Sequence, residues 1–205
     1  MFKILSAQDF IIFEPDVFHS YEEATINFND GTAIRGNTKI TLDSPIKFKV
    51  NEDSKPDVWT DMMLKGVIFH SVFDDVSFMY VNVKNRLMMQ LLEVIELGEI
   101  SIFAEVSSKA LPFSVFFNLG GSVALTPNNS GFSNNYDKEV FFDLYAKKEN
   151  EEAINFTTVF KFKKVATNFF ENCPQIVDRL KDKKYKIGDI IEMVYYYNDY
   201  CAVLD

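Results

Sequence analysis

Residues 24–36, ATINFNDGTAIRG, decide the fold class because they have the pattern of a β-hairpin. Ala24, Ile26 and Phe28 alternate with polar residues, so they would share one face of a first strand. The NDG sequence at residues 29–31 tolerates the positive φ angles that tight hairpin turns require. We therefore expect antiparallel β-structure in this part of the chain.

Short apolar segments continue this pattern on the C-terminal side of the hairpin. The segment RLMMQLLEVIELGEISIFAEV is ambiguous between helix and strand, and we favour two antiparallel strands, 88–97 and 99–106, with a turn at Gly98. From about residue 157 the apolar period changes from two to 3.6. The sequence therefore predicts an α+β fold: a mostly antiparallel β body, sandwich or open barrel, over 1–156, and a small helical tail over 157–205 that docks on it.

The composition is that of an ordinary globular protein with an unusual number of phenylalanines. Hydrophobic residues make up 47% of the 205 residues and charged residues 25%. There are 21 phenylalanines and nine tyrosines, which favours β-structure with aromatic faces. These rings either fill a core or line a cavity for a small apolar ligand.

The net charge of −9 argues against nucleic acid as a partner, since a nucleic-acid-binding surface must be basic. Affinity for anionic lipid is disfavoured for the same reason. No stretch reaches the roughly 20 apolar residues that span a bilayer. The opening MFKILSAQDFIIFEP lacks the uninterrupted apolar run of a signal peptide.

The only two cysteines, Cys173 and Cys201, stand at the two ends of a predicted helix pair. Cys173 shares an apolar stripe with Ile176 and Leu180, and Pro174 suits a first helical turn. In an antiparallel pair the two ends meet, within reach of a disulfide, whose Cα atoms lie about 4.4–6.8 Å apart. A bond requires an oxidising compartment; otherwise both cysteines are reduced, buried apolar residues.

The second helix of this pair carries the candidate surface for a ligand or partner. Asp189 and Glu192 have the spacing of a capping box at its start. The tyrosines that follow cover most of the helix circumference, so they do not all face the core. Tyr196 and Tyr200 lie four residues apart and, if exposed, would form a partner surface. Alternatively, the tyrosines cover the sheet with their hydroxyls at its rim.

No catalytic or metal-binding motif is present, so the sequence favours a non-enzymatic protein with no cofactor. His19 with Glu22 and Glu23 is at most a partial metal-ligand set. His70 alternates with apolar neighbours, which is typical of a strand residue. A Ser-His-Asp arrangement could be formed with Ser71 or Ser77 and Asp74. Nothing in the sequence resembles a nucleophile elbow, so we discount a catalytic triad.

Three segments, in this order, resemble a group of uncharacterised β-rich envelope proteins of Bacteroidota. They are ATINFNDGTAIRGNTKI with SPIKFKV, then EVIELGEISIFAEV, in which Phe103 takes a tyrosine position, and FFENCPQIV with IIEMVYYYNDYC. The resemblance covers about two thirds of the chain. It implies residence in the periplasm or cell envelope, although the group carries export signals and this sequence shows none.

The sequence thus leads to two main functional hypotheses and to a third, an enzyme whose site is dispersed so that no motif reveals it. One is a non-enzymatic envelope protein, binding or structural, with an unknown protein partner. The other is a small-molecule or lipid-binding protein with an aromatic-lined cavity. If the sequence is the full natural product, a cytoplasmic location is expected instead.

Overall fold

The computed structural model describes residues 17–41, 44–71, 75–106, 122–126, 129–133, 139–140, 142–158 and 160–202. Its strands are β1 (Glu22–Phe28), β2 (Ala33–Ile40), β3 (Ile46–Lys49), β4 (Asp57–Trp59), β5 (Leu64–Phe69), β6 (Val76–Val81), β7 (Gln90–Glu96), β8 (Ile100–Val106), β9 (Ser122–Thr126), β10 (Asn129–Ser133), β11 (Glu139–Val140), β12 (Phe142–Lys148) and β13 (Ile154–Asn155). Its helices are α1 (Phe162–Phe169), α2 (Pro174–Lys181) and α3 (Ile190–Tyr200), with a 3-10 turn at Ile187–Asp189. The opening segment 1–16 and Asp74 lie outside the described residues.

Ten strands form one open antiparallel sheet, in the order β13-β12-β8-β7-β6-β5-β1-β2-β3-β4. The remaining three form a small second sheet in the order β11-β10-β9. The predicted class, a mostly antiparallel β fold with a small C-terminal helical part, is confirmed. The domain division at 156/157 stays a prediction: β13 ends at Asn155, α1 begins at Phe162, and one apolar core joins both parts.

The hairpin that decides the fold class forms as expected, between β1 and β2. Gly31 adopts φ +87° in the turn, and Asp30 accepts a hydrogen bond of 2.9 Å from the Thr32 backbone N–H. Ala24 and Ile26 are fully buried, and Phe28 is half-buried. The alternation of β1 therefore directs one of its faces into the core.

The ambiguous segment around Gly98 forms two strands, β7 and β8, rather than a helix. Its turn is also where the sheet meets α3. The Asn198 side chain accepts a hydrogen bond of 3.0 Å from the Ile100 backbone N–H and donates one of 2.8 Å to the Ile100 carbonyl. A Cβ at Gly98 would lie 2.4 Å from the Asn198 amide nitrogen. Glycine is required here because it lets the amide approach the turn.

The helices cover one face of the sheet at β8 and β12. Phe156, directly after β13, has its ring centroid 5.1 Å from that of Phe169 in α1 and 6.1 Å from that of Phe162. Phe170 continues this contact to Tyr197 of α3 at 6.0 Å. The sheet contributes the buried residues Ile100, Ile102, Ala104, Leu144 and Ala146 to the same core.

The opposite face of the sheet curls inward between β6 and β13. Val83, two residues after β6, forms a parallel bridge with Ala153, directly before β13. Three strands separate β6 from β13 in the sheet order, so this bridge requires strong curvature. The enclosed cluster consists of Val81, Val83, Leu92, Phe103, Tyr145 and Ala153. We call this side the concave face.

We predict that Gly98→Ala and Asn198→Ala are coupled. Each variant alone should lower the free energy of unfolding by about 1–3 kcal/mol, through a clash or through unsatisfied backbone groups of Ile100. In the double variant the added methyl no longer meets the amide, so its loss should fall short of the sum by at least about 0.5 kcal/mol. Denaturant unfolding of the four proteins measures this, and strict additivity would contradict the contact.

Candidate functional site

The sulfur atoms of Cys173 and Cys201 lie at bonding distance, and their Cα atoms are 5.6 Å apart. Cys173 precedes α2, Pro174 is in its first turn, and Cys201 directly follows α3. The start of α2 therefore meets the end of α3, as the helix-pair geometry predicts. Both cysteines are buried in the core that joins helices and sheet.

The predicted capping box at Asp189 and Glu192 is wrong. Asp189 makes no side-chain cap for α3; its carboxylate accepts a hydrogen bond of 2.7 Å from the Lys186 backbone N–H. The 3-10 turn that precedes α3 moves the capping contact back by three residues. Glu192 instead accepts a hydrogen bond of 3.1 Å from the Tyr185 hydroxyl.

The two predicted surface tyrosines belong to a row of stacked side chains on α2, α3 and the segment that connects them. Tyr196 and Tyr200 have ring centroids 4.9 Å apart. The Arg179 guanidinium lies 5.2 Å from the Tyr196 ring centroid and 5.3 Å from that of Tyr185. We call these four residues, Tyr185, Arg179, Tyr196 and Tyr200, the tyrosine–arginine row.

Hydrogen bonds fix the buried end of this row. Arg179 donates a hydrogen bond of 2.6 Å to the Tyr185 hydroxyl, and this contact raises the pKa of the guanidinium. Burial raises the pKa of Tyr185, whose hydroxyl donates to Glu192. Tyr200, at the other end, is 62% exposed. The row therefore runs from the buried, hydrogen-bonded Tyr185 to the exposed Tyr200.

The neighbouring tyrosines show how the helix divides this run of residues. Tyr197 is buried in the core beneath α3, whereas Tyr195 is 42% exposed and lies outside the row. Tyr196 is half-buried between Arg179 and Tyr200. Tyr197 thus packs against the sheet, as the alternative interpretation expected of all these tyrosines. Tyr196 and Tyr200 of the row occupy another side of the helix.

His70 is held by two partners that sequence reasoning did not pair with it. Its Nε2 lies 2.8 Å from Thr25 Oγ1, and its Nδ1 lies 3.1 Å from Asp75 Oδ2. This is the atom order of a hydroxyl–imidazole–carboxylate triad. However, Thr25 lies mid-strand, paired with both β2 and β5, so the backbone donors around it are used within the sheet rather than free to form an oxyanion hole. The arrangement is best explained as a structural link from β1 to the segment before β6.

A carboxyl pair on the concave face also escaped sequence reasoning. Glu105 on β8 and Asp143 on β12 are direct register partners, so their side chains lie next to each other. The Tyr145 hydroxyl donates to Glu105. Burial, together with the Glu105 charge, raises the pKa of Asp143. No sequence signal could have found this pair, because 38 positions separate residues that only the sheet register brings together.

The described residues include neither a metal-ligand cluster nor a helix able to span a membrane. In the described ranges no group of three or more His, Cys, Asp and Glu residues is placed to hold a metal ion. Glu23, a member of the candidate set around His19, pairs instead with Arg35 at 2.8 Å. None of the described helices has the length and apolarity needed to cross a membrane.

We predict that the cysteine bond stabilises the helical part. Replacing Cys173 and Cys201 together by alanine should lower the free energy of unfolding by about 3–4 kcal/mol, because the bond closes a loop of nearly 30 residues. Guanidinium unfolding without reductant measures the loss, and reduced wild-type protein should match the variant. Two reactive thiols in denatured, unreduced protein from an oxidising compartment would contradict the bond.

We predict that Asp143→Asn stabilises the protein near neutral pH. Burial raises the folded-state pKa above the ordinary value of 3.8, so the folded state binds this proton more tightly than the unfolded state. Stability is therefore lost as pH rises from 3.8 through the folded pKa, and asparagine avoids that loss. The gain should disappear in unfolding measurements below the ordinary pKa. The exposed Asp199→Asn is the control, and a gain that is independent of pH would contradict the assignment.

In comparisons with known proteins, no family model, no curated protein and no solved structure matches this chain.

Proposed function

We propose that this chain is a non-enzymatic β-rich protein of the cell envelope that binds a partner protein through the tyrosine–arginine row. The observation that carries the proposal is the geometry of that row: three aromatic rings and one guanidinium stacked at 4.9–5.3 Å on two helices and their connection. Tyrosine and arginine are the residue types that most often dominate the energy of protein interfaces.

The anchoring of the row favours binding because it reduces the entropy lost on association. Arg179 is held by Tyr185, and Tyr200 directly precedes the bonded Cys201. Side chains that are ordered before binding lose less freedom when a partner arrives. The cysteine bond would thus serve the surface by fixing the end of α3 against the start of α2.

The cysteine bond also supports the envelope location. Disulfides form and persist in oxidising compartments and are rare in the cytosol. Both cysteines are buried, so a reduced pair would be chemically inert and would serve only as packing. The resemblance to Bacteroidota envelope proteins leads to the same location by a different route.

The polar clusters of the described residues favour binding over catalysis. The hydroxyl near His70 lies within a fully paired strand, and the carboxyl pair at Glu105 and Asp143 is tied to Tyr145 and Asn155. Likewise, the rings of Phe156, Phe169, Phe170 and Tyr197 pack on one another beneath the helices, which favours a filled core over an aromatic-lined ligand cavity at this place.

We predict that the partner binds at Tyr200. A photo-crosslinking phenylalanine analogue at position 200, expressed in the source cells, should give one discrete adduct, whereas the same analogue at the exposed Leu87 should not. The partner identified in the adduct, purified separately, should bind the Tyr196→Ala/Tyr200→Ala variant at least about tenfold more weakly than wild type.

The matched control is Tyr195→Ala, which removes an exposed tyrosine of the same helix from outside the row. It should leave the dissociation constant unchanged. Equal losses for the control and the double variant, or an unchanged affinity for the double variant, would refute the row as the binding surface.

A further inference from the structure

A second surface, at the start of α1 and the end of α2, gathers positive charge around an exposed aromatic ring. Phe160 is 84% exposed and stands directly before α1. Lys161, Lys163, Lys164 and Lys181 line a shallow groove beside it. We call these five residues the lysine patch.

Three of the four lysines of this patch have no carboxylate partner within the described part of the chain. No carboxylate of the described residues forms an ion pair with Lys161, Lys163 or Lys164. Lys163 donates a hydrogen bond of 3.1 Å to the Lys181 carbonyl, which ties α1 to the end of α2. Of the four lysines in the patch, only Lys181 has a carboxylate partner among the described residues, which is Asp178 at 3.3 Å. Three cations therefore face solvent on a chain whose net charge is −9.

The backbone turns at Lys161, in the middle of this patch. Lys161 adopts the left-handed conformation, with φ 63° and ψ 50°, which is unfavourable for a residue with a side chain. Its ammonium group lies 5.5 Å from the Phe160 ring centroid. The turn thus holds an apolar ring at the outside of the molecule with cations around it.

We propose that the lysine patch docks the protein on an anionic lipid surface, with Phe160 entering the headgroup region. Interfacial anchors combine an inserted aromatic ring with lysines that meet anionic lipids, as this patch does. A shallow groove lined by lysines beside an exposed ring suits a flat membrane better than an acidic peptide, which needs a cleft to bury its side chains. Docking of this kind requires no membrane-spanning helix.

The net charge of the chain does not oppose this docking strongly. At physiological ionic strength the Debye length is about 8 Å, so a membrane interacts mainly with the charges on the nearest face of the protein. The net charge of −9 is a sum over the whole chain and does not describe the charge on this one face. The inference is independent of the tyrosine–arginine row and of the proposed partner, since it uses other residues.

Vesicle co-sedimentation tests the charge requirement. The full-length protein should bind phosphatidylcholine vesicles that contain about 30% phosphatidylglycerol, and should not bind phosphatidylcholine alone. Lys164→Glu should weaken binding at least about fivefold. The control Lys65→Glu, which reverses the charge of an exposed lysine on β5, should not weaken it. Binding to neutral vesicles of equal strength, or equal effects of the two reversals, would overturn the proposal.

Fluorescence tests the insertion of the ring. The variant Phe160→Trp should show a blue-shifted emission on anionic vesicles and quenching by brominated lipid, above the background of the native Trp59. The control Leu87→Trp, at an exposed apolar position outside the patch, should show neither change. Phe160→Ala should weaken vesicle binding at least about threefold. Membrane docking would be overturned if brominated lipid did not quench the emission of the Phe160→Trp variant. It would also be overturned if the protein bound soluble polyglutamate but did not bind vesicles.

Discussion

The burial of the β8–β12 face beneath the helices is the interaction on which every surface feature depends. Neither part is stable by itself: helices of eight to eleven residues are marginal in water, and the apolar face of β8 and β12 would be exposed without them. Phe156 fills the junction, and Asn198 satisfies the backbone at the Gly98 turn. The tyrosine–arginine row, the lysine patch and the cysteine bond all lie on or beside helices that this packing holds in place.

Local patterns in the sequence predict those parts of the fold that depend on neighbouring residues. The NDG turn, the Gly98 turn and the apolar stripe around Ile176 each follow from backbone sterics or from side-chain periodicity over a few positions. The cysteine pairing was predictable because two short antiparallel helices leave few places for their ends. The capping box failed although it is a local motif, because an additional 3-10 turn competes for Asp189.

The polar clusters could not be predicted, since they depend on the register of distant strands. Asp143 meets Glu105 only because β12 pairs with β8 in one of two possible face orientations, and a shift of one residue would separate them. The same holds for Thr25 and His70, which β1 and β5 bring together. Arg179 was overlooked for a related reason: its stacking on Tyr196 depends on how α2 crosses α3, which periodicity does not specify.

Helix α2 contributes to both proposed surfaces. Arg179 contacts the tyrosines of α3, and the end of the helix at Lys181 contacts Lys163 of α1. Arg179 uses its guanidinium in the first contact, whereas Lys181 uses its backbone carbonyl in the second. The tyrosine–arginine row and the lysine patch share no residue, so docking on lipid through the patch would not occupy the side chains proposed to bind the partner.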